Sequence, residues 1–153
     1  MQPMAFLDRF LILLCEDLQV KKPRVKPVGD ADPRFPTATT LALLSSDGSS
    51  ILVRRRPERD PDLLFAIAHE LRHAWQLTYH RDRYFSDYKP REACEDLEVY
   101  NLQPAELDAN AYAAIVMISA FGIRPLWQGY TPRVIDAIEA RQNEISKEES
   151  PHD

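Results

Sequence analysis

Residues 69 to 73 read His69-Glu70-Leu71-Arg72-His73, and both the residue types and their spacing suit metal chemistry. On a helix, positions four apart lie about 40° apart in projection and one turn along the axis, so both imidazoles point at one ion. The expected ion is zinc (Zn2+). Glu70 sits about 100° around from His69, placed to reach a metal-bound water rather than the metal, which gives it the role of general base. In a chain with 4 histidines among 153 residues, the pattern arises by accident in about one sequence per hundred. Two histidines and a glutamate buried on an apolar helix with no ion would also be costly.

A catalytic zinc site takes three protein ligands and leaves the fourth position to water. The metzincin pattern needs a glycine at 76 and a histidine at 79, where this chain has Gln76 and Tyr79. His80 shares a face with His73 but would lie about 10 Å further along an unbroken helix, so it contributes only if the helix stops first. Glu92, Glu95, Asp96 and Glu98 lie in a polar stretch and read as solvated surface. Glu106 differs, because Glu106, Ala109, Asn110 and Ala113 recur at helical spacing and form one face carrying an acid, an amide and two very small side chains. The alanines would let this helix approach the zinc helix closely. Asp108 points about 160° away from Glu106 and is expected to hydrogen-bond a ligand imidazole or pair with Tyr112, in the manner of carboxylates that support metal ligands.

His69-Glu70-x-x-His73 followed by Glu106-Leu107-Asp108-Ala109-Asn110-Ala111-Tyr112-Ala113 resembles the ImmA/IrrE family of gluzincin-like zinc metallopeptidases, whose second motif reads roughly E-x-E-A-N-x-F-A. The likeness covers about residues 52 to 117, with Asp108 for Glu, Tyr112 for Phe and a longer insertion of 32 residues between His73 and Glu106. The resemblance implies a zincin-like domain, His69, His73 and Glu106 as zinc ligands, Glu70 as general base, and a transcriptional repressor as one class of substrate. Metal-assisted hydrolysis of a protein or peptide is then the expected activity. The alternative is a zinc-stabilised binding or regulatory module without turnover. Tyr79, His80, Tyr84 and Tyr88 are candidates for the donor that stabilises the oxyanion, and Asn110 is a candidate support residue beside Asp108.

The elements that must position these groups follow from periodicity and punctuation. Helices are expected from about Pro3 to Gln19, from Pro61 to about Thr78 after an Asp60 cap, from Pro104 to about Ala120 with Gly122 as the stop, and from Pro132 to about Ile145. Residues 20 to 36, with four prolines and mixed charge, read as an extended connector. Residues 37–44 and 51–55 flank Asp47-Gly48 and read as a β-hairpin, with Arg54, Arg55 and Arg56 guarding a sheet edge and the strand Ser50 to Arg56 open to an extended substrate. Six of the 14 aromatic residues fall between Trp75 and Tyr100, as a cover over the helices. The fold class is α+β, a small, mostly helical domain of about four helices with a short sheet before the zinc helix. Residues 1–145 form its single domain, and 146–153, including His152, a frayed tail.

Hydrophobic residues at 44% and charged residues at 28% match a folded globular chain rather than a disordered one. A net charge of -5 speaks against a dedicated nucleic-acid binder, although Lys21 to Lys26 is locally basic. Residues 1–91 carry 15 basic against 12 acidic side chains and residues 92–153 carry 4 against 12, which predicts a substrate passing between walls of opposite sign. Two cysteines, Cys15 and Cys94, build no disulfide framework. The apolar run Phe10 to Cys15 is too short to span a bilayer or to serve as a signal peptide, so a cytoplasmic protein is expected. With so short a chain, the cleft wall should come largely from the segment after His73.

Overall fold

The computed structural model describes residues 4–149 and shows an α+β architecture. Among these residues, six α-helices and a three-stranded sheet follow in the order α1(Ala5–Leu18), β1(Arg24–Val28), β2(Ala42–Leu44), β3(Ser50–Arg54), α2(Pro61–Tyr79), α3(Arg81–Phe85), α4(Leu97–Asn101), α5(Pro104–Phe121) and α6(Pro132–Glu149), with the sheet packed on α2. No described helix is long and apolar enough to cross a membrane.

Local chemistry accounts for the helix limits. Asp60 caps α2 by accepting from the Asp62 amide at 2.9 Å, with Pro61 pre-set in the first turn. Gln103 and Pro104 open α5, and Gly122 closes it at φ 67°, donating its N–H to the Ile118 carbonyl. That left-handed conformation is one glycine adopts without strain. α1 buries Leu7, Phe10, Leu11, Leu14, Cys15 and Leu18 along one stripe and packs on α2. α6 runs on to Glu149, so residues 146–149 are helical where a frayed tail is expected. Residues 150–153, His152 among them, lie outside the described residues.

The sheet departs further from expectation. Its strand order is β1-β3-β2. The antiparallel pair β2/β3 is present with Ala42 opposite Val53, but residues 37–41 are not strand. β1 comes from the segment read as a connector and pairs parallel to β3, Val25 opposite Ile51. β3 is therefore the central strand, and all five of its residues are buried. It guards no edge and offers none to a substrate.

Arg54 is buried rather than a solvated guard. Its guanidinium donates to the carbonyls of Thr40 (2.5 Å), Asp30 (2.7 Å) and Thr37 (2.8 Å) and sits 4.4 Å over the Phe35 ring. It thereby shapes residues 30–41, whose carbonyls would otherwise go unpaired. β2 is left as the edge beside α2.

α5 is the centre of the molecule, buried along Ala105, Glu106, Asp108–Ala111 and Tyr112–Ala114. It packs chiefly on α2 and α6. Ala109 and Ala113, buried on the same helical face as Glu106, add little bulk there and let an acid on α5 come within reach of imidazoles on α2.

Candidate metal centre

His69 and His73 lie one turn apart on α2, with Nε2 atoms 3.1 Å from one another. Glu106, only 2% exposed, brings Oε1 to 3.2 Å from His69 Nε2 and Oε2 to 3.2 Å from His73 Nε2. Four ligands at zinc distances of about 2.0–2.1 Å stand about 3.3–3.4 Å apart along each tetrahedral edge. The spacing of the two nitrogens and the carboxylate oxygens is close to such a triangle. Two imidazoles with a carboxylate are also the donor chemistry zinc takes.

His69, Glu70 and His73 together form a group that could hold a metal ion, each offering an atom within 4.8 Å of the others. Within it Glu70 is the least suited to be a ligand. Its Oε2 stands 4.0 Å from His69 Nε2, and its Oε1 accepts the Leu44 N–H of β2 at 2.8 Å.

The far side of each imidazole is held by an amide. Gln76, fully buried, donates through Nε2 to the Ala105 carbonyl (3.0 Å) and to Asp108 Oδ2 (2.8 Å), so its Oε1 accepts from His73 Nδ1 at 2.8 Å. This fixes the tautomer, with Nδ1 protonated and Nε2 turned to the site. Asn110 Oδ1 lies 2.8 Å from His69 Nδ1 and acts in the same way. Its Nδ2 is buried with no hydrogen-bond partner.

Asp108 reaches the site only through Gln76, and not by bonding an imidazole. It is fully buried and receives Arg72 Nε (2.8 Å) and Nη2 (3.1 Å) and Arg141 Nε (2.8 Å). The Tyr112 hydroxyl donates to Asp17 instead (3.0 Å). Burial opposes charge on Asp108, but the Arg72 hydrogen bond and charge, with Gln76 and Arg141, hold its pKa below the ordinary value.

The electrostatics are those of a buried carboxylate facing two imidazoles. Burial would push the Glu106 pKa up, yet His73 and His69 hold it well below the usual carboxylate range. Burial would likewise discharge His73, but the Glu106 charge and hydrogen bond, with Glu70 and Gln76, push its pKa up to about 9. A proton on His73 thus balances the Glu106 charge. The Tyr88 hydroxyl donates to Glu106 Oε2 at 2.8 Å, and Tyr100 lies 3.1 Å from it. Burial and then the Glu106 charge raise both phenols, keeping them protonated.

Of the four oxyanion candidates only Tyr88 faces the site. The Tyr79 hydroxyl donates to the Gln19 carbonyl at the protein surface. The helix does stop before His80, but His80 packs on Trp75 and Tyr84 at 4.6 and 6.3 Å between ring centroids. Tyr84 is buried and accepts from Arg141 Nη2. The aromatic segment after Trp75 therefore divides, one part covering α2 and Tyr88 with Tyr100 lining the cleft.

That cleft, about 830 Å³, is bounded by Pro36–Leu43 on one side and by Tyr88, Pro90–Glu92, Leu97, Tyr100 and Asn101 on the other, with Phe65 and Tyr130. Its wall comes as much from the segment before α2 as from the one after. The expected walls of opposite sign are not formed, because Arg91 and Glu92 both line the cleft and Thr37, Thr39 and Thr40 line it uncharged. Cys15 is buried and far from nucleophilic, its pKa pushed up to about 11 by burial against the pull of Lys22. Cys94 is free and half-buried.

Sequence reasoning missed Gln76, Tyr100 and Tyr130. Gln76 had a signal, since it stands three residues after His73 on the same helical face. Comparison of the chain with models of protein families, with curated proteins and with solved structures finds no match.

Proposed function

We propose that the chain is a zincin-like, zinc-dependent peptidase of the ImmA/IrrE kind, hydrolysing a peptide bond in a protein or peptide substrate. The observation that carries this reading is the triangle of His69 Nε2, His73 Nε2 and Glu106 at 3.1 to 3.2 Å, with Glu70 beside it. Zinc bound there supplies an acidified water and a Lewis acid for the carbonyl.

The chain's own residues do the rest. Gln76 and Asn110 keep both imidazoles aimed, so that little reorganisation accompanies binding. Glu70 Oε2 takes the proton of the attacking water and passes it to the leaving amine, while the Leu44 N–H keeps the carboxylate oriented. β2 positions the substrate. Its ladder to β3 uses the Leu41 carbonyl and the Ser45 N–H, so alternation turns the main chain of Ala42 and Leu44 outward; the Leu44 N–H is taken by Glu70 and Ala42 lines the cleft. An extended peptide adds along that edge with little sequence demand.

A second reading has one observation in its favour: Glu70 Oε1 is engaged by the Leu44 N–H, as in a site that only stabilises the fold and binds a partner. Glu70→Gln separates the two. The peptidase reading predicts full zinc content and a loss of about 10² to 10⁴-fold in cleavage. Unchanged cleavage would refute it. The net charge of -5 disfavours nucleic acid as the substrate.

A further inference from the structure

The cleft holds three tyrosine hydroxyls, and counting protons separates them. Tyr88 has one proton and spends it on the ionised Glu106. Tyr100 stands 3.1 Å from the Tyr88 hydroxyl and also hydrogen-bonds the Glu106 carboxylate, so its proton too is spent within this cluster. Tyr130 also lines the cleft with His69, Glu70, Glu106 and Asn110, and its hydroxyl donates to no group among the described residues.

Behind Tyr130 stands an orphan. With His69 Nδ1 as the donor, Asn110 presents Oδ1 to it, and its Nδ2, in a side chain 1% exposed, makes no well-formed hydrogen bond and has the Tyr130 oxygen as its neighbouring acceptor. Such a group is costly unless a ligand or neighbour completes it. The Asn110 amide is near enough to favour charge on the Tyr130 oxygen, although burial first and the Glu106 charge second keep that phenol protonated.

The chain also strains itself to hold Tyr130 there. Trp127 adopts φ 54°, a left-handed conformation that a bulky residue disfavours. It stacks on Tyr130 (5.5 Å between centroids, 22° between planes) and meets Phe65 of α2 edge-on at 5.8 Å. The Tyr130 N–H closes the turn on the Trp127 carbonyl. The ring is thus fixed relative to the helix that carries both histidines.

Resting on the hydrolase reading above, we propose that Tyr130, backed by Asn110 Nδ2, is the catalytic hydrogen-bond donor to the scissile carbonyl oxygen and to the oxyanion that develops on it. The phenol keeps its proton throughout. Its hydrogen bond strengthens as charge accumulates on the substrate oxygen, and the Asn110 amide offsets the charge drawn onto the phenol oxygen.

Tyr130→Phe keeps the ring stack and removes only the donor. Zinc content, casein cleavage and acetohydroxamate affinity of the zinc-loaded protein are measured for wild type and variant. The expected result is undiminished zinc, kcat lower by about 10² to 10³-fold with KM nearly unchanged, and acetohydroxamate bound at least about tenfold more weakly. A variant that cleaves casein and binds acetohydroxamate like wild type overturns the donor role and leaves the peptidase reading standing. A wild type that takes up zinc and acetohydroxamate but never cleaves overturns the peptidase reading and with it the catalytic role of Tyr130. A wild type that takes up no zinc overturns both.

Discussion

Asp108→Ala tests the buried network that stands behind the site. Asp108 is fully buried and is the shared acceptor for Arg72, Arg141 and Gln76 at 2.8 to 3.1 Å. Arg72 and Arg141 are themselves 3% and 8% exposed. Arg72 keeps its place over the Trp75 ring at 3.6 Å and Arg141 its bonds to Glu144 and Glu148, which soften but do not replace the lost charge. Removing one member of a buried ion pair costs about 3–5 kcal/mol, mostly from the cation left uncompensated. For a chain of this length that is about 6–20 °C in melting temperature, read by circular dichroism on the metal-free protein. The same change frees Gln76, and with it His73, so zinc affinity should fall as well. A melting temperature within 2 °C of wild type, judged against the same scale of about 2–4 °C per kcal/mol, would refute the reasoning.

Two further outcomes follow from the electrostatics. His73, its pKa raised to about 9 in the metal-free protein, must give up a proton to bind zinc, so apparent zinc affinity should rise up to about tenfold per pH unit and level off near pH 9. By the same sign, the proton on His73 stabilises the metal-free fold fully below the ordinary histidine pKa, and that contribution is lost as pH rises through about 9; chelator competition and melting at pH 6.5, 7.5 and 8.5 check both, and a flat profile contradicts them. Tyr88→Phe removes the donor to Glu106 Oε2 and should weaken zinc about 10 to 100-fold in the same competition assay, whereas a change under twofold would mean that the hydroxyl does not support the ligand.

The parts of this molecule that local chemistry punctuates were legible in its sequence. Asp60-Pro61 and Pro104 with Gly122 bound the two long helices, and helical spacing alone put His69, His73 and Asn110 on facing surfaces. The parts that depend on partners distant in the chain were not. β1 hid behind Pro23, Pro27 and four basic side chains, because its pairing is supplied by β3 from well beyond the connector. Arg54 read as a surface charge, since its burial depends on the carbonyls of residues 30–40 turning toward it. Asp108 read as a partner for an imidazole, and the reason it is not one is that Arg141 arrives from α6 to claim it. Tyr130 carries no motif at all; its place comes from a strained turn and an aromatic stack on Phe65.

The proposed peptidase stands or falls with His69, His73 and Glu106 closing around one zinc ion. Elemental analysis of the purified chain beside its Glu106→Ala variant tests it most directly, with a folded circular dichroism spectrum required of both. One zinc per chain is expected in the wild type and little or none in the variant, because two imidazoles alone leave the ion without its third protein ligand. Wild type without zinc after loading, or a variant that holds it undiminished, would contradict the account.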